Sequence, residues 1–299
     1  MVFGRVPIRL VVTDMDNTLY SWVNYIVPAL EAMVEAVCRA TGFPKIKVIQ
    51  SLKRVYARYE SNEYPFALQE STLFEEFPDF GSFDKLVILP AQTAFREARR
   101  RYLEAYPGVV DTLHALAERQ VPVVALTDAP RNPAEQRARM MELDGLLATL
   151  YTLPAFQFPA TREGVTLVSE AIVRKEEKGE YRARCPVVEL PRDFEKPDDR
   201  GLRRVCEEMG VPPRDVLVVG DSLVKDVALA RKVGAVDAWA EYGTYYSREY
   251  RERLDIVSAP EITRRHAASV FEGSAHLLRS AAHHLSNFSQ VLRIVDESR

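Results

Sequence analysis

Four short apolar runs punctuate this chain, at residues 8–13, 121–127, 216–220 and 235–240. Each is too short for a helix of ordinary length and is nearly continuous rather than alternating. That is the pattern of strands buried on both faces of a parallel sheet. Between the runs the apolar spacing changes to three and four. Val109, Leu113, Leu116 and Ala117 mark a helix after Pro107-Gly108. Leu202, Val205, Cys206 and Met209 mark another, with Asp198 or Asp199 near its start and Gly210 just past its end. Residues 227–233 form a third, closed by Gly234. Strands alternating with helices predict an α/β fold with a doubly wound parallel sheet.

Two stretches break this rhythm. Within residues 21–101, Ile26, Leu30, Val34 and Val37 form one helical stripe, and Val48, Leu52, Val55, Tyr56 and Tyr59 a second. Phe66, Phe74, Phe77, Phe83 and Phe95 extend the apolar pattern. We expect a helical cap inserted into a core made of residues 1–20 and 102–299. The second insertion spans about 153–192, with β-rich arms at 165–174 and 181–190 joined by Lys175-Glu176-Glu177-Lys178-Gly179-Glu180, which reads as a β-hairpin. The tail, about 260–299, carries the stripe Leu277, Ala281, Leu285, Phe288, Leu292 and Val295 and is expected to be helical. Packing on the core and a self-association face that would give a homodimer are both open for it.

Composition narrows the classes. With 40 basic and 43 acidic residues the net charge is −3, which argues against a nucleic-acid binder working through bulk charge. Apolar runs stop well short of the ~18 residues a membrane span needs, and residues 1–9 lack a secretory core, so a cytoplasmic location is expected. Cys38, Cys185 and Cys206 match neither a disulfide framework nor a zinc spacing, and buried structural thiols are the expectation.

The chemistry gathers at predicted strand ends. The first run ends in Asp14 and Asp16; the second in Thr127-Asp128; Lys196 precedes a helix; the third run ends in Gly220-Asp221-Ser222, with Asp226 four residues beyond Ser222. In open α/β sheets the carboxyl ends of the strands form the ligand crevice. Like charges ~4 Å apart repel by roughly 4 kcal/mol at an effective dielectric of about 20, so clustered acids there call for a cation or a shared proton. These residue types suit phosphoryl transfer. A carboxylate can attack phosphorus, and a second carboxyl can protonate the leaving oxygen and then activate water. A hydroxyl and an ammonium can hold phosphate oxygens. Mg²⁺ is held by one or two carboxylates together with phosphate oxygens and waters.

Taken together and in this order, Asp14-x-Asp16-x-Thr18, Thr127, Lys196 and Gly220-Asp221-Ser222…Asp226 resemble the haloacid dehalogenase superfamily of phosphohydrolases. The resemblance covers about 8–18 and 109–244, omitting the hairpin, and implies a Rossmann-like core. The helical insertion and Tyr106-Pro107-Gly108-Val109 look most like the phosphoglycolate-phosphatase-like branch. The resemblance implies that Asp14 is the nucleophile that becomes aspartyl phosphate and a Mg²⁺ ligand. Asp16 would be the general acid/base, with its backbone carbonyl on the metal. Thr127 and Lys196 would hold the phosphate, with Asp128 beside them, and Lys196 would steady Asp14. Asp221 would bind the metal directly, and Asp226 and Ser222 would act from behind it. The substrate implied is a small phosphorylated metabolite.

Other readings stay open at this point. Asp16 favours phosphate over haloacid substrates, since the dehalogenase branch lacks an acid two residues after its nucleophile. A phosphomutase would keep every one of these residues, and a non-catalytic binding or regulatory protein could sit on the same scaffold. Lys175 or Lys178 could reach in place of Lys196. Lys45, Lys47 or Lys53 could serve a Schiff-base chemistry in the cap. Tyr20, Trp22 and Tyr25 could line the cap cleft, and Arg54 and Arg58 could meet an acidic substrate. His114 falls in a predicted helix, in core or at surface, and for His276, His283 and His284 in the tail a solvated helical face outweighs a metal site.

Overall fold

The computed structural model describes residues 7–156, 182–264 and 281–299. Seven strands form one parallel sheet in the order β4-β3-β2-β1-β5-β6-β7. They are β1 (Leu10–Thr13), β2 (Val123–Pro130), β3 (Thr149–Leu153), β4 (Val187–Glu189), β5 (Val216–Gly220), β6 (Val236–Trp239) and β7 (His283–His284). All four strands expected from the apolar runs are present, with edges shifted by a few residues. The fold is the expected doubly wound α/β one, and strand β1 lies at its centre between β2 and β5.

Side chains alternate across the sheet as the pleat requires. Leu10, Val12, Val124, Leu126, Val216 and Val218 face one core, closed by Leu202 and Val205 of the helix Arg200–Met209 and by Leu229 of Ala228–Val233. Val11, Val123, Ala125, Leu217 and Val219 face the other. There they meet Leu113 and Leu116 of Val109–Glu118, Ala134 and Ala138 of Arg131–Met140, and Ile294 and Val295 of Val291–Ser298. In chain order these helices are α4 (Val109–Glu118), α5 (Arg131–Met140), α6 (Arg200–Met209), α7 (Ala228–Val233) and α9 (Val291–Ser298), with α8 (Arg248–Val257) between the last two.

A helical insertion follows β1. Helix α1 (Trp22–Thr41) is started by Ser21, whose hydroxyl accepts from Asn24 N–H, and is ended by the left-handed Gly42. Then come α2 (Lys45–Tyr59) and, after short turns and a wide turn at Asp84–Ile88, α3 (Leu89–Tyr102). Ile26, Leu30, Leu52 and Phe83 of this insertion join the same apolar cluster as Val11 and Val219, so insertion and sheet share one core.

One expectation is corrected. The tail is not one helix from 260 to 299. Residues 283–284 run as an edge strand beside β6, because that strand's unpaired edge needs extended backbone: Leu285 N–H donates to Trp239 O and Ala282 N–H to Asp237 Oδ1. The helical stripe survives from Phe288 to Val295, while Leu277 and His276 lie outside the described residues. Within the expected second hairpin arm, residues 187–189 form a strand that lies parallel on β3. There Val188 and Leu190 pack with Tyr151 and Leu202. The arm at 165–174 and its charged tip lie outside the described residues. Strand β3 and helix α5 went unexpected.

The loop after β1 closes against the loop after β6. Asn17 takes a left-handed turn (φ 59°), which asparagine tolerates, and its side chain accepts from Trp22 N–H at 3.0 Å. Opposite it, a Cβ on Gly243 would lie 1.7 Å from the Asn17 carbonyl oxygen. Backbone cannot yield to that as a flexible side chain would. Gly243→Ala should therefore destabilise the fold by about 3 kcal/mol, the upper end for overpacking. Urea unfolding tests this, and an unchanged midpoint would show that the two loops can separate freely.

Candidate active site

The register of β1 against β5 builds the site. Thr13 lies opposite Val219, and Asp14 N–H donates to Val219 O at 2.8 Å. Asp14 therefore leaves β1 beside Gly220 and Asp221 as they leave β5. Asp221 is fixed by its backbone, its N–H donating to Thr18 Oγ1 at 3.1 Å and its carbonyl accepting from Trp239 Nε1 at 2.8 Å. Asp226 turns back from the next helical turn. Its N–H donates to Ser222 O at 2.8 Å and its Oδ2 accepts from Ser222 N–H at 3.1 Å. Gly220 permits this approach, since a Cβ there would lie 2.2 Å from the Asp226 carboxyl.

Carboxylate oxygens of Asp14, Asp221 and Asp226 lie within 4.8 Å of one another. Into this cluster comes Lys196, 6% exposed, its Nζ 2.6 Å from Asp14 Oδ1 and 2.7 Å from Asp226 Oδ1. Sequence positions 182 residues apart thus meet in one salt bridge. Three carboxylates against one ammonium leave an excess of negative charge in a buried place. Burial, with the neighbouring Asp226 and Asp16 charges, outweighs Lys196 and pushes the Asp14 carboxyl up to about 7. Burial and then Asp14 push Asp221 well above the usual carboxylate range. Lys196 is the mirror image: burial disfavours its charge, but Asp14, Asp226 and Asp128 overcome that and hold it protonated. Such a set of hard oxygens with surplus negative charge fits a divalent cation.

Asp16 sits apart from this cluster. Its Oδ1 accepts from Tyr20 OH at 2.5 Å and its Oδ2 faces Arg137 Nη2 at 3.3 Å. Burial raises its proton affinity, and Arg137 opposes that. Thr127 is buried within β2, where the pairing with β3 shifts register, its Oγ1 accepting from Ala129 N–H at 3.1 Å. Both carboxylate oxygens of Asp128 are engaged: its Oδ1 accepts from Lys196 N–H at 3.0 Å and its Oδ2 pairs with Lys225 Nζ at 2.7 Å. It braces the Lys196 loop.

Several candidates lie away from the site. Lys47 pairs with Glu76, Lys45 with Glu35, and Lys53 donates to Asp255 O. Arg58 pairs with Glu70, Arg54 and His114 are exposed, and His284 faces Glu241 at 3.6 Å. Lys175 and Lys178 lie outside the described residues. The thiols of Cys38, Cys185 and Cys206 are free, and the last two are buried. Sequence reasoning missed Arg137, Glu63, Lys225 and Tyr242, whose hydroxyl donates to Thr18 O at 2.6 Å. Arg137 left one signal: α5 reads RNPAEQRARM, so any buried face of it has to bury charge.

Residues 8–234 match the family model of haloacid dehalogenase-like hydrolases, and the chain belongs to that family. It is therefore a hydrolase. The chain is 25% identical over 256 residues to a glyceraldehyde 3-phosphate phosphatase of Methanopyrus kandleri, covering 83% of this chain and 91% of that one. A 2-haloacid dehalogenase from Pseudomonas syringae pv. Tomato DC3000 superposes with a TM-score of 0.56 at 16% identity, over 98% of this chain and 100% of that one. A HAD phosphatase from Thermococcus onnurineus gives 0.50 at 18%, over 96% and 97%. These two likenesses concern the fold. Among the described residues, no helix is long and apolar enough to cross a membrane.

Lys196 carries the cluster's electrostatics. Lys196→Met should destabilise the metal-free protein by about 3–5 kcal/mol at pH 8, the scale for a buried pair losing one partner. The loss should be smaller at pH 5, where the orphaned carboxylates take up protons. Chemical unfolding in a chelator at both pH values measures this, and an equal, small loss at both would mean the lysine is not holding the acids together.

Proposed function

We propose that this chain is a Mg²⁺-dependent phosphatase that hydrolyses a small phosphorylated metabolite through an aspartyl phosphate on Asp14. Hydrolysis of phosphate monoesters follows from the family and its phosphatase relatives; the intermediate, the metal and the residue roles are our reading. The observation that carries it is the Lys196 ammonium bridging Asp14 and Asp226 beside Asp221, at the ends of two adjacent parallel strands. The Methanopyrus relative's name makes a triose phosphate the first substrate to try.

In the first step an Asp14 oxygen forms a bond to phosphorus as the ester P–O bond breaks. Asp16 gives its proton to the leaving oxygen. In the second, Asp16 takes a proton from water, the water oxygen bonds to phosphorus, and Asp14 is released with inorganic phosphate. Lys196 and the Thr127 hydroxyl hold phosphate oxygens, and Lys196 fixes the plane of the Asp14 carboxylate. Asp14, Asp221 and the Asp16 backbone carbonyl are the groups that would hold Mg²⁺. When bound, the ion cancels the excess negative charge that otherwise repels a phosphate dianion. Asp226, with one oxygen on Lys196 and the other on Ser222 N–H, keeps the lysine in place. We read the insertion, about 21–101, as a cap that excludes water during the first step.

Asp14→Asn should reduce turnover of p-nitrophenyl phosphate by roughly 10⁴-fold or more, as loss of a covalent nucleophile does. Wild-type turnover in that variant would remove Asp14 from the role. Release of inorganic phosphate, rather than an isomeric sugar phosphate, separates hydrolysis from mutase chemistry in the same assay.

Removal of metal has its own signature. In a chelator, the Asp14 carboxyl titrates near pH 7 in the folded chain against 3.8 when unexposed to the fold's charges. The folded state then binds the extra proton, so this group's contribution to metal-free stability is full below about pH 4 and is lost as pH rises through about 7. Saturating Mg²⁺ at about 100 times its Kd should add about 2.7 kcal/mol where the acids are already ionised. At pH 5 it must displace protons and should add less. Calorimetry at pH 5 and 8 with Mg²⁺ and EDTA reads both; no Mg²⁺ effect at pH 8 rejects the metal site.

A further inference from the structure

Helix α5 buries an arginine that no step above uses. Arg137 is 1% exposed, and its Nε lies buried without a hydrogen-bond partner among the described residues. Its guanidinium lies against the rings of Tyr20 and Tyr25, 5.7 and 5.9 Å from their centroids. One arm, Nη2, faces Asp16 Oδ2 at 3.3 Å. The other, Nη1, donates to Tyr25 OH at 2.8 Å and to Glu63 Oε1. Glu63 is itself held from within the insertion, by Trp22 Nε1 at 3.1 Å and Tyr25 OH at 2.6 Å. Arg137 thus joins three parts of the chain: its own helix in the core, the loop after β1, and the insertion.

Burying a guanidinium is costly, and apolar packing of the same volume would often serve stability as well or better. A planar cation with directed donors offers something apolar packing lacks, which is orientation. Asp16 is gripped from both sides, by Tyr20 OH on Oδ1 and by Arg137 on Oδ2, so the plane of its carboxyl is fixed.

We propose that Arg137 is a positioning residue for Asp16, held in place by Glu63, and that it sets the orientation from which Asp16 serves the leaving oxygen. This rests on the phosphatase reading above. Because Arg137 is buried and touches Asp16 rather than the crevice, it acts through that side chain and does not itself bind the phosphate.

The test uses two aryl phosphates of similar shape. p-Nitrophenyl phosphate has a stable leaving anion and needs little help from an acid. Phenyl phosphate leaves as a phenolate, whose conjugate acid resembles tyrosine with a pKa near ~10, and needs the proton. General acid catalysis is worth about 10²–10⁴-fold. Arg137→Met should therefore lower kcat for phenyl phosphate about tenfold or more beyond any loss with p-nitrophenyl phosphate, with KM for both little changed. Arg137→Lys should restore part of the ratio. Glu63→Gln, an isosteric change further from the reacting atoms, should shift the ratio in the same direction by less, and carries the test if Arg137→Met does not fold. An equal loss on both substrates, or a fall in melting temperature with the ratio unchanged, would make Arg137 a structural residue only. Asp14→Asn, assayed alongside, must silence both substrates. If it does not, the phosphatase reading has failed rather than this one.

Discussion

Everything in this molecule answers to one electrostatic demand: three carboxylates and one ammonium packed together out of water at the ends of β1 and β5. Parallel pairing of those strands places Asp14 and Asp221 side by side, and the pleat keeps the apolar residues before them inside the core. Gly220 has no side chain because the Asp226 carboxyl occupies that space. The left-handed turn at Asn17 and the contact with Gly243 fold the two loops over the cluster. Such a cluster is unfavourable alone, since burial lifts the proton affinity of Asp14 and Asp221. On the proposed reading a divalent cation would cancel this surplus charge and so let a phosphate approach.

Asp14 and Asp16 are two residues apart yet live in different surroundings. Successive side chains beyond a strand end diverge, so Asp14 meets an ammonium and two carboxylates while Asp16 meets a phenol and a guanidinium. On the proposed mechanism two identical side chains would thereby take two roles, one carboxylate attacking and one carboxyl exchanging a proton. Separation of environments within a short motif is a recurring route to acid and base roles from one residue type.

How much of this could be read from the chain follows from sequence distance. Apolar strands and their terminal acids are local patterns, so β1, β2, β5, β6 and the acids at their ends were legible. Lys196 was legible because Pro197 and the helix after it give a setting, though the hairpin expectation offered Lys175 and Lys178 as rivals. Strand β3 was not legible because Thr149–Leu153 mixes threonines and a tyrosine into a run too short to stand out. Helix α5 was hidden by its charge, and the Arg137–Glu63 pair by a separation of 74 residues and by a glutamate in a loop that nothing marks. Asp128 was recognised by position, but its side chain is claimed by Lys225 and the Lys196 backbone, a competition visible only in three dimensions. The tail's edge strand arises from the unpaired edge of β6, a need that belongs to the sheet rather than to the tail's own residues.

The insertion is fastened to the core by polar contacts on two sides. Glu63 meets Arg137 of α5, while Asn62, its neighbour, exchanges hydrogen bonds of 2.7 and 3.0 Å with Ser258 beyond α8, and Glu31 pairs with Arg253 of α8. The anchors at 62 and 63 thus point in different directions from one short loop, one toward Asp16 and one toward α8. A displacement of this loop would break both, parting Asn62 from Ser258 and leaving the buried Arg137 with Asp16 but without Glu63. Such a state is costly, which favours a seated insertion whenever no ligand holds it away. The seated insertion braces Arg137 through Glu63, and Arg137 in turn holds Asp16, so on the proposed reading water exclusion and acid placement would arise from the same contacts.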